Sequence, residues 1–117
     1  MELLFKSGIL TVRFSPDKFE TTELKIYSII CEVARVAHIS TSRLICRTRT
    51  REISEWRHLI AYICRRNGLG SLHTIGQNIG GRDHSTVINS IKYVEDFLYI
   101  KERVFMIKYN LVKHLLK

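Results

Sequence analysis

From Thr22 onward the apolar residues recur at helical spacing. Ile26, Ile29, Ile30, Val33 and Ala37 share one helix face. A helix opening at Thr22 is expected, with Thr22 as N-cap and Glu23 adding favourable charge in the first turn. "AHISTSRLI" breaks the pattern, and Ser40 or Thr41 can cap a short helix carrying Leu44 and Ile45. A third helix is expected from about Ser54, burying Trp56, Leu59, Ile60, Ile63 and Cys64. It should stop at Asn67-Gly68, a pairing suited to a left-handed C-terminal cap. Ser71 then caps a short helix with Leu72, Ile75 and Ile79, which Gly80-Gly81 ends. A long helix follows, with Val87, Ile88, Ile91, Val94 and Leu98 on its burial side and Glu95 as the polar interruption. A last amphipathic helix from about Lys101 places Val104, Ile107, Leu111 and Leu115 on one stripe. Tyr27, Trp56, Tyr93 and Phe97 fall within these patterns and read as core.

Residues 1–22 differ. Leu3-Leu4-Phe5 and Ile9–Phe14 are β-prone runs separated by Ser7-Gly8, and Ser15-Pro16-Asp17 closes the second with turn chemistry. The expected organisation is an N-terminal arm or small hairpin over 1–22, then one helical domain over 23–117. The fold class is mainly α, a helical bundle with a short β-prone arm. The arm can pair with another subunit, pack on the last helix, or reach DNA through Lys6 and Arg13. "CRTRTRE" alternates Arg47, Arg49 and Arg51 with hydroxyls and reads as an exposed loop, either a cationic contact or a solvated charge run.

Charge narrows the function. A net charge of +8 and a pI near 9.7 favour a polyanionic partner. Cys31, Cys46 and Cys64 are odd in number and lack CxxC spacing, which argues against a disulfide framework or a zinc site. Cys31 and Cys64 read as small core hydrophobes, and a reducing cytoplasm fits. No apolar run approaches the roughly 20 residues that span a bilayer, so no membrane partner is expected. His38, His58, His73, His84 and His114 have no metal-ligand spacing, and Asp83-His84 lacks a third group for acid–base work. No metal, no cofactor and no enzymatic activity are expected.

The densest chemistry lies in "GGRDHSTVINSIKYVEDF", Gly80 to Phe97. A short helix, a glycine turn and a longer helix make a helix-turn-helix pattern, whose second helix points its N-terminal end into the major groove. Free N–H groups and partial positive charge in that first turn suit phosphate. His84, Ser85 and Thr86 occupy the turn; Asp83 either caps it or accepts from a base amine.

"IGQNIGGRDHSTVINSIKYVE", Ile75 to Glu95, resembles the signature of the C-terminal DNA-binding domain of the bacterial replication initiator DnaA, a Trp-repressor-like helix-turn-helix. The family pattern is Gly-Gly-Arg-Asp-His-Thr-Thr-Val, and Ser85 replaces its first Thr. The likeness extends over about residues 23–100. It implies that Asp83, His84, Ser85 and Thr86 lie in the major groove and that Arg49 enters the adjacent minor groove. It also implies that Arg57 and His58 face DNA, His58 standing where the family has Gln. Arg65 would take over a phosphate contact, and N–H groups near Ser71 and Leu72 would hold phosphate. Arg57 can make the bidentate contact to guanine, and Thr86 offers thymine a methyl. The implied target is a TTATCCACA-type box. Ser85 should weaken one apolar contact to it, and His58 should add pH sensitivity near its usual pKa of ~6.5.

The chain has no GxxxxGK[ST] loop, so nucleotide binding and ATP-driven origin melting are not expected; it reads as a free-standing DNA-binding domain. The resulting expectation is a sequence-specific double-stranded DNA-binding protein. It would be a small regulator or a competitor for initiator sites, of the kind a bacteriophage or mobile element encodes. The alternative is an interaction protein, assembling through the arm or last helix, that keeps the fold and binds DNA weakly or not at all.

Overall fold

The computed structural model describes residues 21–47 and 50–116. The expectations for residues 1–20 and for Arg49 lie outside the described residues. Those described form six α-helices and no strand. They are α1 (Thr22–Ala37), α2 (Thr41–Ile45), α3 (Arg51–Arg66), α4 (Leu72–Asn78), α5 (His84–Ile100) and α6 (Arg103–Val112). A short 3-10 turn, Lys113–Leu115, follows α6.

Helix ends follow local capping chemistry. Thr21, one residue before the expected Thr22, caps α1 by accepting from the Leu24 N–H at 3.2 Å. Ser40 caps α2 and Ser71 caps α4, each accepting from the N–H three residues on. Beyond α3, Gly68 takes the left-handed conformation (φ +70°) that the sequence led us to expect at this stop. The helix begins at Arg51 rather than Ser54, so Arg51 belongs to its first turn and not to the cationic loop.

The core is formed around α3. Leu59, Ile60, Ile63 and Cys64 are fully or almost fully buried against Ile26, Ile30 and Val33 of α1, Ile75 of α4, and Val87 and Val94 of α5. Removing a buried Leu or Ile side chain of this kind typically costs about 2–5 kcal/mol. Burial also pushes the Cys64 thiol up to about 12, as befits an inert core residue. Cys31 is only half-buried.

Three expectations about burial need correction. Tyr27 is exposed. On α5, Ile88 is exposed and Ser90 takes a buried position. On α6, Val104, Ile107 and Leu111 point to solvent, whereas Phe105 and Val112 are buried. The helix is rotated because Lys108 must face inward.

Lys108 meets Glu55, a carboxylate only 1% exposed, at 2.8 Å. Arg51 Nε donates to the same carboxylate at 3.0 Å, and the Tyr93 hydroxyl donates to it at 2.7 Å, so α3, α5 and α6 converge on one buried charge. Burial alone would push the Glu55 carboxyl up. Hydrogen bonds from Lys108, Tyr93 and Arg51 outweigh it and hold the group below the ordinary range. Around this charge Tyr93 stacks on Phe97 with centroids 4.3 Å apart, and Phe105 meets Phe97 edge-on.

The turn between α4 and α5 is built on close backbone approach. The Arg82 N–H donates to the Gly76 carbonyl at 2.8 Å, and a Cβ at Gly76 would press on the Arg82 carbonyl oxygen. Gly80 and Gly81 both adopt positive φ, which glycine alone tolerates without strain.

Because one partner of a buried ion pair cannot be removed cheaply, Glu55→Ala should lower unfolding free energy by about 3–5 kcal/mol. The paired change Glu55→Leu with Lys108→Met should recover most of the loss. Urea denaturation checks both, and a single-variant loss below about 1 kcal/mol would contradict the structural role.

Candidate nucleic-acid interface

The first turn of α5 is open to solvent. His84, Ser85 and Thr86 are all exposed. Asp83 precedes them in extended conformation, and its Oδ1 accepts from the Thr86 N–H at 3.0 Å and from the Thr86 hydroxyl at 2.9 Å. Asp83 is thus the N-cap. The backbone hydrogen bond from Thr86, followed by that from its hydroxyl, holds the carboxyl below its usual range. The cap leaves His84 and Ser85 as the side chains of this turn with no role in closing it.

Ser71 and Leu72 lie at the N-terminus of α4, where first-turn N–H groups point along the axis. Arg65 is exposed and lines a shallow groove with Leu72, Ile88, Ile91 and Lys92, which brings the end of α3 beside α4 and α5. Two residues not singled out from the sequence, Asn89 and Lys92, are also exposed on α5. Their helical spacing from Ser85 was the available signal: Asn89 follows it by one turn.

Arg57 and His58 are placed differently from what the resemblance implied. Arg57 is 9% exposed, and its guanidinium donates to the carbonyls of Leu44 and Cys46, both at 3.2 Å, and to the Ser54 hydroxyl. Burial, with Arg82 nearby, lowers its pKa from the usual arginine value. His58 packs on Tyr93, and its Nδ1 lies 2.8 Å from the Ser90 hydroxyl. Burial first, and the Arg57 charge second, press its pKa down to about 4. The expected titration near 6.5 is therefore corrected: His58 is neutral across the physiological range. Both residues line a small cleft beneath α5 together with Arg82 and Thr86.

Arg82, within the motif yet not singled out, is bonded as heavily as Arg57. It reaches the carbonyls of Ile45 and Cys46 at 3.0 and 2.8 Å, and that of Ile79. An arginine in a glycine turn gives no local sign of Cys46 and Ile45 as partners, which lie 36 and 37 residues away. No group of three or more metal-ligating side chains occurs among the described residues.

Residues 26–94, from α1 into α5, match the family described as bacterial dnaA protein helix-turn-helix. The chain belongs to the bacterial DnaA helix-turn-helix family. It is 35% identical over 97 residues to the chromosomal replication initiator protein DnaA of Bifidobacterium animalis subsp. lactis (strain AD011), covering 82% of this chain and 17% of that protein. It is 33% identical over 79 residues to the DnaA of Bartonella quintana (strain Toulouse), covering 68% of this chain and 16% of the relative. With the DnaA of Rhodopseudomonas palustris (strain BisB5) it shares 36% identity over 76 residues, 65% of this chain and 16% of that protein. The chain thus spans about a sixth of the length of these curated relatives. The DnaA helix-turn-helix is a DNA-binding unit, and α4, the glycine turn and the start of α5 are its counterpart here. The last turn of α5 and all of α6 lie beyond the matched segment. No described helix is long and apolar enough to cross a membrane.

The His58 environment has a stability signature. The unfolded chain takes up a proton near pH 6.5 and the folded chain only near pH 4, so stability is full above 6.5 and falls as pH drops between the two values. From pH 7 to pH 5 the loss from this residue should be about 2 kcal/mol. Urea titrations at both pH values should show that loss in the wild-type protein and a markedly smaller one in His58→Gln.

Proposed function

We propose that this chain binds double-stranded DNA in a sequence-specific manner. The first turn of α5 enters the major groove, where His84, Ser85 and Thr86 meet base edges and Asp83 orders the turn. Arg65 and the N–H groups near Ser71 and Leu72 hold phosphate, and Arg49 enters the neighbouring minor groove. The observation that carries the reading is the capped, solvent-open turn at His84–Thr86. It lies on a helix-turn-helix of a DNA-binding family, and the exposed cations Arg65, Arg66 and Lys92 line a groove further along α5. Arg57 and His58 take part from below, as supports rather than contacts.

The relatives are chromosomal replication initiators, so initiator-type boxes are the proposed targets. The biological role that fits is a cytoplasmic regulator or competitor at such sites, in the setting of a bacteriophage or mobile element. It acts as a DNA-binding protein and not as an enzyme, and uses no nucleotide.

A second reading has one observation in its favour. Val104, Ile107 and Leu111 form an exposed apolar stripe on α6, beyond the segment matched to the family, and such stripes serve assembly. An interaction protein built on this face, or on the N-terminal arm, would keep its association when DNA contacts are removed.

Fluorescence anisotropy with a labelled duplex carrying a TTATCCACA-type box, against a scrambled duplex, decides between them. Box binding should be at least about tenfold tighter, with the preference lost in Thr86→Ala. Ser85→Thr, which restores the family methyl, should raise box affinity roughly threefold and leave scrambled binding unchanged. Equal affinity for both duplexes would reduce the function to phosphate binding, and no binding to either would favour the interaction protein.

A further inference from the structure

The cationic loop leaves the fold at the end of α2, and two arginines grip it there. Leu44, Ile45 and Cys46 are consecutive, and each of their carbonyls accepts from a guanidinium. Arg57 donates to the first and third, and Arg82 to the second and third. Cys46 is the last residue before Arg47, and its extended backbone turns the chain away from the helix axis. A helix C-terminus favours cations, and its final carbonyls have no partners within the helix, so two guanidinia satisfy several orphan acceptors at once.

Arg82 is tied at its other end as well. Its N–H is bonded to Gly76, and the next residue, Asp83, caps α5. Gly80 keeps the space open: a Cβ there would strike both the Ile45 carbonyl oxygen and Arg82 Nη1. The root of the loop and the start of α5 are therefore joined through one side chain.

We infer that Arg82, supported by Arg57, is a positioning residue that fixes Arg47 at a set offset from the first turn of α5, so that this cation and the helix engage DNA in one register. The inference rests on the DNA-binding reading above and deepens it. Arg47 is exposed and close enough to Arg82 for their charges to interact. Arg82 itself, with its guanidinium turned onto three carbonyls, acts through the loop and not by touching phosphate.

The test is a double-mutant cycle read by anisotropy on the box duplex over a salt series. Arg47→Ala should weaken binding roughly tenfold and lower the slope of log K against log salt by about one, as loss of one phosphate contact does. Arg82→Lys keeps the charge but cannot span three carbonyls in fork geometry, and should give the same roughly tenfold loss and the same reduced slope. In the Arg82→Lys background, Arg47→Ala should then change little. Arg82→Gln serves as a second variant, with circular dichroism and melting temperature confirming that each variant is folded at the assay temperature. Wild-type affinity in Arg82→Lys, or effects of the two substitutions that multiply independently, would overturn the positioning role while leaving DNA binding intact. No binding by the unsubstituted protein would remove the DNA reading and the positioning role with it.

Discussion

The buried carboxylate of Glu55 is the constraint around which the rest is arranged. A charge 1% exposed needs partners of opposite sign and donors for its lone pairs, and it draws them from three helices. Lys108 must point inward, which decides how α6 is rotated. Tyr93 must reach across from α5, which sets its ring against Phe97 and His58. Arg51 must lie in the helix and not in the loop. A segment beyond the family's matched region is thus fastened to the family's domain by polar chemistry, with apolar contacts from Phe105 and Val112 closing around it.

That constraint also explains where the sequence could be read and where it could not. Caps were legible because their rules act within four residues: Ser40, Ser71, Asp83 and Gly68 all follow them. One stripe of α3 was legible because Trp56, Leu59, Ile60, Ile63 and Cys64 are apolar, whereas the burial of Glu55 and Arg57 beside it was not. The face of α6 was not. Its apolar residues fit two overlapping stripes, and the buried one contains Lys108, a residue that any hydropathy pattern assigns to solvent. Thr22 was displaced by Thr21 as cap for a smaller reason, since two adjacent threonines give the same local signal.

The candidate site divides in the same manner. His84, Ser85 and Thr86 are exposed as their position in a first helical turn leads one to expect. The resemblance implies that Arg57 and His58 face DNA. Here long-range partners decide otherwise: carbonyls of α2 for Arg57, and Ser90 with Tyr93 for His58. Arg82 was overlooked for the converse reason. Two of its three carbonyl partners, Ile45 and Cys46, are far away in sequence, and backbone carbonyls leave no mark in residue identity.

At Gly76 the backbone of α4 lies directly against the carbonyl of Arg82 at the entry to α5, with Val87 Cγ2 the nearest side chain. Contacts between side chains have some give, because rotamers shift and methyl groups slide past one another. A joint of peptide against peptide has almost none. The height at which α5 stands above α4 is therefore limited first by this backbone approach and only then by the packing of Val87. Whatever the exposed end of α5 touches, it meets at one fixed depth.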